Sequence, residues 1–327
     1  MTVVIADDAA IEQAAQLLRQ GRLVAFPTET VYGLGADAGN AQAVACIFKA
    51  KGRPADHPLI VHIADSSVLG DWAQHIPDAA YQLAEQFWPG PLAMILAKQA
   101  RVPSAVTGGQ QTVGLRVPNH PVALALLQRF GGGVAAPSAN RFCRISPTQA
   151  AHVAEELGDS VAMILDGGSC QVGVESTIID LSGAQPRLLR PGHISSQELA
   201  EALQTELVLP IAATPQEIRA PGMMDIHYAP TTPALLCPAT QLSEFVQQLL
   251  AAGKSIGLLT CRLQIDESRK IRILRLPEQA DAYAQRLYAA LRELDSLGLD
   301  VLVVEQPPQS EAWQAINDRL QKATVLA

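Results

Sequence analysis

The chain has 327 residues, a formal net charge of −8, 48% hydrophobic residues and 4% aromatic residues. That length is too great for one hydrophobic core, so we expect a domain of about 200 residues and a smaller one. A net negative charge disfavours non-specific nucleic-acid binding, and the low aromatic content argues against extended base-stacking surfaces. The composition therefore favours an enzyme that acts on small molecules.

The chain carries no sign of a membrane or secreted protein. No apolar run is long enough to span a bilayer, and the first residues lack the pattern of a signal peptide, so we expect a cytoplasmic location. The five cysteines are odd in number and widely spaced, without a C-x-x-C pair. This spacing predicts buried free thiols rather than a disulfide framework or a zinc site.

Polar residues follow the first predicted strand. A helix is expected over Ala9–Gln20, and a buried strand over Leu23–Phe26 leads into Thr28 and Thr30. In open α/β sheets, ligands bind beyond the carboxyl ends of the strands. Taken alone, however, two threonines at this place are more often turn or strand residues.

A basic segment follows the helix expected over Ala41–Lys49. Lys51 can act as a flexible point charge, and Arg53 as a planar fork that grips phosphate or carboxylate. An isolated K-x-R pair is more often part of a solvated loop than of an anion site. Evidence from the rest of the chain is needed to choose between the two. The next strand, Leu59–Ile63, contains His62, and a histidine in an apolar strand is more often a core residue than a ligand.

Arginines close two later strands. One strand, expected over Thr112–Val117, ends near Arg116, and another ends at Arg190. Several cations with many small hydroxyl donors suit a polyphosphate nucleotide. The chain has no P-loop, kinase signature or G-x-S-x-G motif, and no nucleophile with an obvious paired base. We therefore expect catalysis by positioning and charge stabilisation.

Small residues precede a loop with the hydroxyl of Ser138 and the amide of Asn140, and small side chains let a ligand approach the backbone. Downstream, Ser146 as N-cap and Gln149 at N3 form a capping-box pattern that predicts a helix to about Leu157. Capping alone explains Ser146. The free amides of a helix N-terminus also bind phosphate, so both roles can hold together.

The composition changes after Leu209, where prolines crowd the sequence and predict a linker. The linker also holds two methionines, His227 and Tyr228, and we interpret it as a segment that lies on a surface and could serve as a lid. Beyond it, strand and helix patterns alternate. They include a helix capped by Ser243 and a long amphipathic helix over Ala280–Leu297, which together predict a small parallel sheet. The predicted divisions are a first domain over 1–209, a linker over 210–233 and a C-terminal domain over 234–327.

Five motifs stand out in the first domain: F-P-T-E-T-V-Y-G-L-G from Phe26, K-G-R-P from Lys51, P-S-A-N from Pro137, V-E-S-T-I from Val174 and L-R-P-G from Leu189. Together they closely resemble the motifs of the YrdC/Sua5 family. H-Y-A-P from His227 and R-L-Q-K-A from Arg319 resemble the longer Sua5 type, which extends the match to nearly the whole chain. The resemblance implies an α/β protein with a YrdC-like twisted, mixed open sheet and flanking helices, plus a smaller Rossmann-like parallel α/β C-terminal domain.

The resemblance also implies an activity, that of a nucleotidyltransferase. The family makes threonylcarbamoyl-AMP and pyrophosphate from L-threonine, bicarbonate or CO2, and ATP, for the t6A modification of tRNA. Mg²⁺ would accompany ATP, with no tightly bound cofactor, and the product would pass to the tRNA threonylcarbamoyl-transferase machinery. The alternative is a YrdC-like RNA-binding or ribosome-maturation module without catalysis, but the net acidity and the retained hydroxyls favour the enzyme.

The family's site residues carry over motif by motif. Residues implied to contact threonine are Thr30, His62 and Ser176. Residues implied to contact ATP are Arg53, His57, Arg116, Ser138, Asn140, Ser146, Arg190 and Tyr228. Lys51 and Arg53 would be the catalytic cations, and no residue is expected to hold a metal directly.

The chain departs from the family pattern at two places. His57 stands where asparagine is usual, which makes a nucleotide contact sensitive to pH. After Asn140 the family commonly has Ser-Gly, whereas this chain has R-F-C-R over Arg141–Arg144. This loop puts the placement of Ser146 in question, and Arg144 supplies a further cation.

Overall fold

The computed structural model of the chain describes residues 2–209, 218–223, 227–262 and 269–327. These residues form two compact units. The first comprises residues 1–142, 147–171 and 175–223, and the second comprises 143–146, 172–174 and 224–327. Within the described ranges, every helix is too short or too polar to cross a membrane.

The first unit is built on a mixed sheet, to which ten of the described strands belong. In chain order they are β1 (Val3–Ile5), β2 (Val24–Phe26), β3 (Gly33–Asp37), β4 (Ile60–His62), β5 (Leu92–Ala97), β6 (Thr112–Arg116), β7 (Val134–Ala135), β8 (Met163–Asp166), β9 (Thr177–Asp180) and β10 (Arg187–Arg190). Their spatial order is β1-β8-β2-β3-β7-β4-β6-β5-β9-β10. Parallel and antiparallel pairs alternate irregularly across it, which confirms the mixed open sheet implied by the resemblance.

Helices flank this sheet. They are α1 (Asp8–Arg19), α2 (Ala41–Lys51), α3 (Leu69–Trp72), α4 (Asp78–Phe87), α5 (Ser104–Thr107), α6 (Pro121–Phe130), α7 (Ala150–Leu157) and α8 (Ser196–Leu203). The apolar stripe of α1, which includes Ala14 and Leu18, forms one buried cluster with Leu126 of α6 and with Val24 of β2. Burial of this stripe fixes the face that α1 turns to the sheet.

The second unit carries a smaller sheet. Its described strands are β11 (Ala234–Cys237), β12 (Ile256–Thr260), β13 (Ile271–Arg275), β14 (Val301–Glu305) and β15 (Val325–Leu326), and its helices are α9 (Leu242–Ala251), α10 (Ala280–Asp295) and α11 (Gln314–Ala323). The pairs of neighbouring strands are all parallel, as predicted. The stripe predicted on α10 is also confirmed, because Tyr283, Leu287, Leu291 and Leu294 are buried.

The predicted capping box at Ser146 is wrong. Helix α7 begins at Ala150, and its N-cap Gln149 makes no side-chain capping bond. The residues before it accept hydrogen bonds from elsewhere in the first unit: the carbonyl of Pro147 from the amide of Tyr32 (2.9 Å), and that of Thr148 from the amide of Cys170 (3.0 Å). These long-range bonds hold the segment away from the helical conformation that its local pattern favours.

The predicted cap of α9 also needs correction. Gln241 rather than Ser243 is the N-cap residue of α9, and it makes no side-chain capping bond. Helix α8 ends at Leu203, where Gln204 adopts a left-handed backbone with φ +50°. The predicted linker falls partly outside the described residues, since 210–217 and 224–226 are not among them, so the predicted domain bounds remain a prediction.

Two serines allow a test of helix capping. The Ser195 hydroxyl accepts a bond from the amide of Glu198 (3.1 Å), and the Glu198 carboxylate accepts one from the amide of Ser195 (2.8 Å). We expect Ser195→Ala to lower the free energy of unfolding by about 1 kcal/mol. The matched change Ser243→Ala, at an exposed position inside α9, should be neutral or slightly stabilising. Urea unfolding followed by circular dichroism measures both, and equal losses would contradict the assignment of the caps.

Candidate active site

A buried ion pair lies where the segment after β2 meets the end of β6. Nη2 of Arg116 lies 2.8 Å from Oε1 of Glu29 and donates to Oγ1 of Thr30 at 3.0 Å. The Arg116 Nε donates to the carbonyl of Gly90 at 3.3 Å. Thr28 and Thr30 share a hydrogen bond of 2.9 Å between their hydroxyls. All of these groups are buried, so charge and hydroxyls are concentrated in a protected place.

His62 is the neighbour of Arg116 across the sheet. The register of β4 and β6 pairs the two residues, and the His62 ring makes an edge contact with Phe26. Burial, with the nearby charge of Arg116, lowers the pKa of His62 to about 3. The imidazole is therefore neutral at physiological pH, and its Nδ1 has no hydrogen-bond partner among the described residues.

Lys51 joins helix α2 to the loop that carries Ser138 and Asn140. Its Nζ donates to the carbonyl oxygen of Ser138 at 2.6 Å and to that of Asn140. Gly52 ends α2 in a left-handed conformation with φ +64°, which glycine adopts without strain. The chain therefore turns sharply between Lys51 and Arg53. A second bond, from the amide of Phe142 to the carbonyl of Lys51 (2.8 Å), fastens the same loop.

Arg53 and His57 follow that turn. Nη2 of Arg53 donates to the carbonyl of Pro58 at 3.0 Å, and the guanidinium is largely buried. Partial burial, then the Arg53 charge, lowers the pKa of His57. The ring of His57 packs edge-on against Phe142, with centroids 5.5 Å apart. The two departures from the family pattern are therefore in contact.

Ser176 and Arg190 form a further buried group. The Arg190 guanidinium donates to the Ser176 carbonyl from Nε (3.0 Å) and Nη2 (2.8 Å), and Nη2 reaches the Ser176 hydroxyl at 3.2 Å. Gly192 is required beside it, because a Cβ there would lie 2.2 Å from the backbone nitrogen of Thr177. That nitrogen donates to the carbonyl of Pro91, next to the Gly90 that Arg116 holds.

Ten of the twelve predicted site residues lie in the first unit, and the contacts above join most of them into neighbouring groups. Ser146 and Tyr228 belong to the second unit. There, Tyr228 has a left-handed backbone with φ +64°, its ring stacks on Tyr288 (5.8 Å), and the guanidinium of Arg319 lies 5.3 Å from the ring centre. Tyr228 is thus a buried and firmly packed residue of the unit that contains it.

Sequence reasoning missed Glu29 as a site residue. The available signal was its position between Thr28 and Thr30, in a short polar segment with apolar residues on both sides. A carboxylate in such a segment must be paired, because a buried charge without a partner is costly.

The groups in the first unit define a polar centre of a particular kind. It combines a neutral imidazole, several hydroxyls and buried cations at the ends of strands. Among the described residues, no group of three or more His, Cys, Asp or Glu side chains could hold a metal ion. Such a centre is suited to holding anions and small polar substrates by hydrogen bonds and charge.

Comparison with known proteins identifies the class. The family model Sua5_yciO_yrdC, described as "Telomere recombination", matches residues 16–192, and the model Sua5_C, described as "Threonylcarbamoyl-AMP synthase, C-terminal domain", matches residues 194–325. The chain belongs to the Sua5/YrdC family, in its longer two-domain form.

Individual relatives agree over almost the full length. A threonylcarbamoyl-AMP synthase of Pyrococcus abyssi is 40% identical over 99% of this chain and 98% of the relative, and one of Bacillus subtilis is 41% identical over 97% and 93%. The crystal structure of P. abyssi Sua5 complexed with L-threonine is similar with a TM-score of 0.93, at 37% identity, over all of both chains.

The state of His62 leads to a prediction about pH. Unfolded His62 takes up a proton below about pH 6.5, whereas the folded residue resists protonation down to about pH 3. Stability is therefore lost as the pH falls through this window, by about 2 kcal/mol between pH 7 and pH 5. We expect His62→Gln to lack this loss of about 2 kcal/mol in the free energy of unfolding between pH 7 and pH 5, because glutamine does not titrate. Urea unfolding at both pH values measures it, and equal losses in variant and parent would contradict a buried neutral histidine.

Proposed function

We propose that this chain is an L-threonylcarbamoyladenylate synthase. It makes threonylcarbamoyl-AMP and pyrophosphate from L-threonine, bicarbonate or CO2, and ATP, and the product serves t6A modification of tRNA. The observation that carries the proposal is the likeness over both domains to relatives with this name, one of which has been solved with L-threonine. The buried polar centre of the first unit supports it, because its groups suit an amino acid beside a nucleotide.

Threonine would bind on the side of Thr30, His62 and Ser176. Thr30 and Ser176 offer hydroxyls, each held by an arginine, and the neutral His62 ring offers a nitrogen without a partner. A neutral imidazole can accept or donate a hydrogen bond to the substrate hydroxyl without adding charge. These three groups therefore fit a small amino acid that carries a hydroxyl.

ATP would bind along the loop that Lys51 fastens. The hydrogen bond from Lys51 to the carbonyl of Ser138 holds the Ser138 loop beside the segment that carries Arg53. Arg190 lies at the end of β10, where its guanidinium is held by the carbonyl of Ser176. Arg116 would contribute less to phosphate binding than an unpaired arginine, since Glu29 compensates its charge. His57, Asn140, Ser146 and Tyr228 complete the proposed nucleotide contacts. Lys51 would act in part by holding the backbone of Ser138 and Asn140.

Magnesium would enter with ATP. In nucleotide sites Mg²⁺ is usually held by substrate phosphates and water with one or two protein groups. The ion would supply positive charge that neutralises the triphosphate.

The proposed reaction has two steps. The ammonium group of threonine releases one proton to solvent, the free amine forms a C–N bond with CO2 as one C–O π bond opens, and the resulting carbamic acid releases a second proton to solvent to become a carbamate. A carbamate oxygen then attacks the α-phosphorus of ATP in line, and the bond to the β-phosphate bridging oxygen breaks to release pyrophosphate. The protein's part is to align the two substrates and to stabilise charge on the phosphates, without a covalent intermediate.

The requirement for three substrates tests the function directly. Pyrophosphate release should need ATP, bicarbonate and L-threonine together, and labelled carbon from bicarbonate should appear in a nucleotide product. Release without threonine would contradict the proposal. Failure to react, combined with tight RNA binding, would favour the non-catalytic module instead.

Arg53 provides a test of the phosphate site. We expect Arg53→Ala to lower the rate about 100-fold or more, because a guanidinium aimed at developing phosphate charge is lost. The control is Arg101→Ala, which removes an exposed arginine paired with Asp71 and should leave the rate unchanged. Circular dichroism checks the fold of both variants, and an unchanged rate in Arg53→Ala would exclude Arg53 from the site.

Tyr228 provides a test of the linker. We expect Tyr228→Ala to weaken ATP binding about tenfold, because the buried ring that packs on Tyr288 and fixes the proposed nucleotide contact is lost. Circular dichroism checks that the variant still folds. Tyr81→Ala, at a half-exposed tyrosine of α4, is the control. Titration calorimetry with a non-hydrolysable ATP analogue measures both, and equal affinities would contradict a role for the linker in nucleotide binding.

A further inference from the structure

Three buried polar atoms near Arg116 lack a hydrogen-bond partner among the described residues: Nδ1 of His62 and both carboxylate oxygens of Glu29. Oε1 of Glu29 still has its ion pair with Arg116, so Nδ1 of His62 and Oε2 of Glu29 are the two that have neither a hydrogen bond nor an ion pair. Glu29 is 3% exposed, and only its Oε1 is engaged, in the ion pair with Nη2 of Arg116 at 2.8 Å. A buried carboxylate oxygen without a donor is unfavourable, and such groups in native proteins usually have a specific reason.

The position of Glu29 indicates why its Oε2 lacks a donor. The same Nη2 that pairs with Glu29 donates to Oγ1 of Thr30, so the carboxylate and the hydroxyl share one guanidinium. His62 is paired with Arg116 in the sheet register. Both orphaned atoms therefore lie around the group proposed to receive threonine, rather than in a distant part of the core.

The proposed substrate, threonine, carries the hydrogen-bond donor that Oε2 of Glu29 lacks. At neutral pH the amino acid carries an ammonium group, with three donors and a positive charge. The centre offers several arginines and hydroxyls, and the imidazole of His62 is neutral. Among the described residues, Glu29 is the carboxylate whose ion pair places it against Arg116 and Thr30. An ammonium donor at Oε2 would satisfy the orphaned oxygen and form a charge-assisted hydrogen bond.

We propose that Glu29 is a substrate-binding residue that receives the amino group of threonine through Oε2 while Oε1 holds Arg116. The inference rests on the proposed function and deepens it, because it assigns selection of the amine to this carboxylate. In this arrangement, Glu29 makes the site discriminate between an amino acid and a hydroxy acid of the same shape.

The experiment compares two ligands of the full-length protein by titration calorimetry. One is L-threonine, and the other is the analogue in which a hydroxyl replaces the amine, 2,3-dihydroxybutanoate of matching stereochemistry. The parent should prefer threonine by about 30-fold or more, since a buried charge pair is lost with the analogue. Glu29→Gln, which keeps the shape, should bind threonine about 30-fold more weakly and the analogue within a few-fold of the parent.

Controls separate this role from a structural one. Asp71→Asn removes a carboxylate from an exposed arginine pair (2.6 Å) and should leave both affinities unchanged. If Glu29 only supported Arg116, Glu29→Gln would weaken both ligands equally, which overturns the inference. If Glu29→Gln fails to fold, the measurement on the parent protein still tests the inference. Equal affinity of the parent for threonine and for the hydroxy analogue would overturn it. A parent that binds neither ligand would refute the proposed function itself.

Discussion

The buried guanidinium of Arg116 ties together three segments that are far apart in sequence. It contacts Glu29 and Thr30 after β2, the carbonyl of Gly90 before β5, and belongs itself to the end of β6. A charge removed from water is tolerated only when it is paired and hydrogen-bonded, and breaking such a pair typically costs about 3–5 kcal/mol. The conformation of the Thr28–Thr30 segment therefore depends on a strand that forms some 85 residues later.

Elements with a clear periodic pattern could be predicted from the sequence. Helix α1, strand β6 and the apolar stripe of α10 agree with their patterns, because in each the local preference and the buried face coincide. The segment from Ser146 could not be predicted in this way. Its capping signal is strong locally, but the carbonyls of Pro147 and Thr148 pair with backbone amides from distant parts of the first unit. Tertiary hydrogen bonds of this kind have no signature in a short window of sequence.

In the candidate site, too, some features could be predicted from the sequence and others could not. The cations and hydroxyls at strand ends could be recognised individually, and the family motifs indicated that they belong to one site. Their partners could not be recognised, because pairing depends on the order of strands in the sheet. Lys51 illustrates this: its pattern suggested a phosphate ligand, whereas its Nζ also holds the carbonyls of Ser138 and Asn140. A lysine used in this way shapes the loop as well as supplying charge.

The two departures from the family pattern gain a common explanation from their contact. An asparagine at position 57 has no ring to make this ring–ring contact, and the usual Ser-Gly after Asn140 would offer no ring to pack on. In this chain the His57 imidazole meets Phe142 edge-on, and the amide of Phe142 bonds to the carbonyl of Lys51. Burial and the charge of Arg53 lower the pKa of His57, which favours the neutral form of its ring. The histidine and the altered loop therefore form one local arrangement, so restoring the usual residue at either place alone would leave the other without its partner.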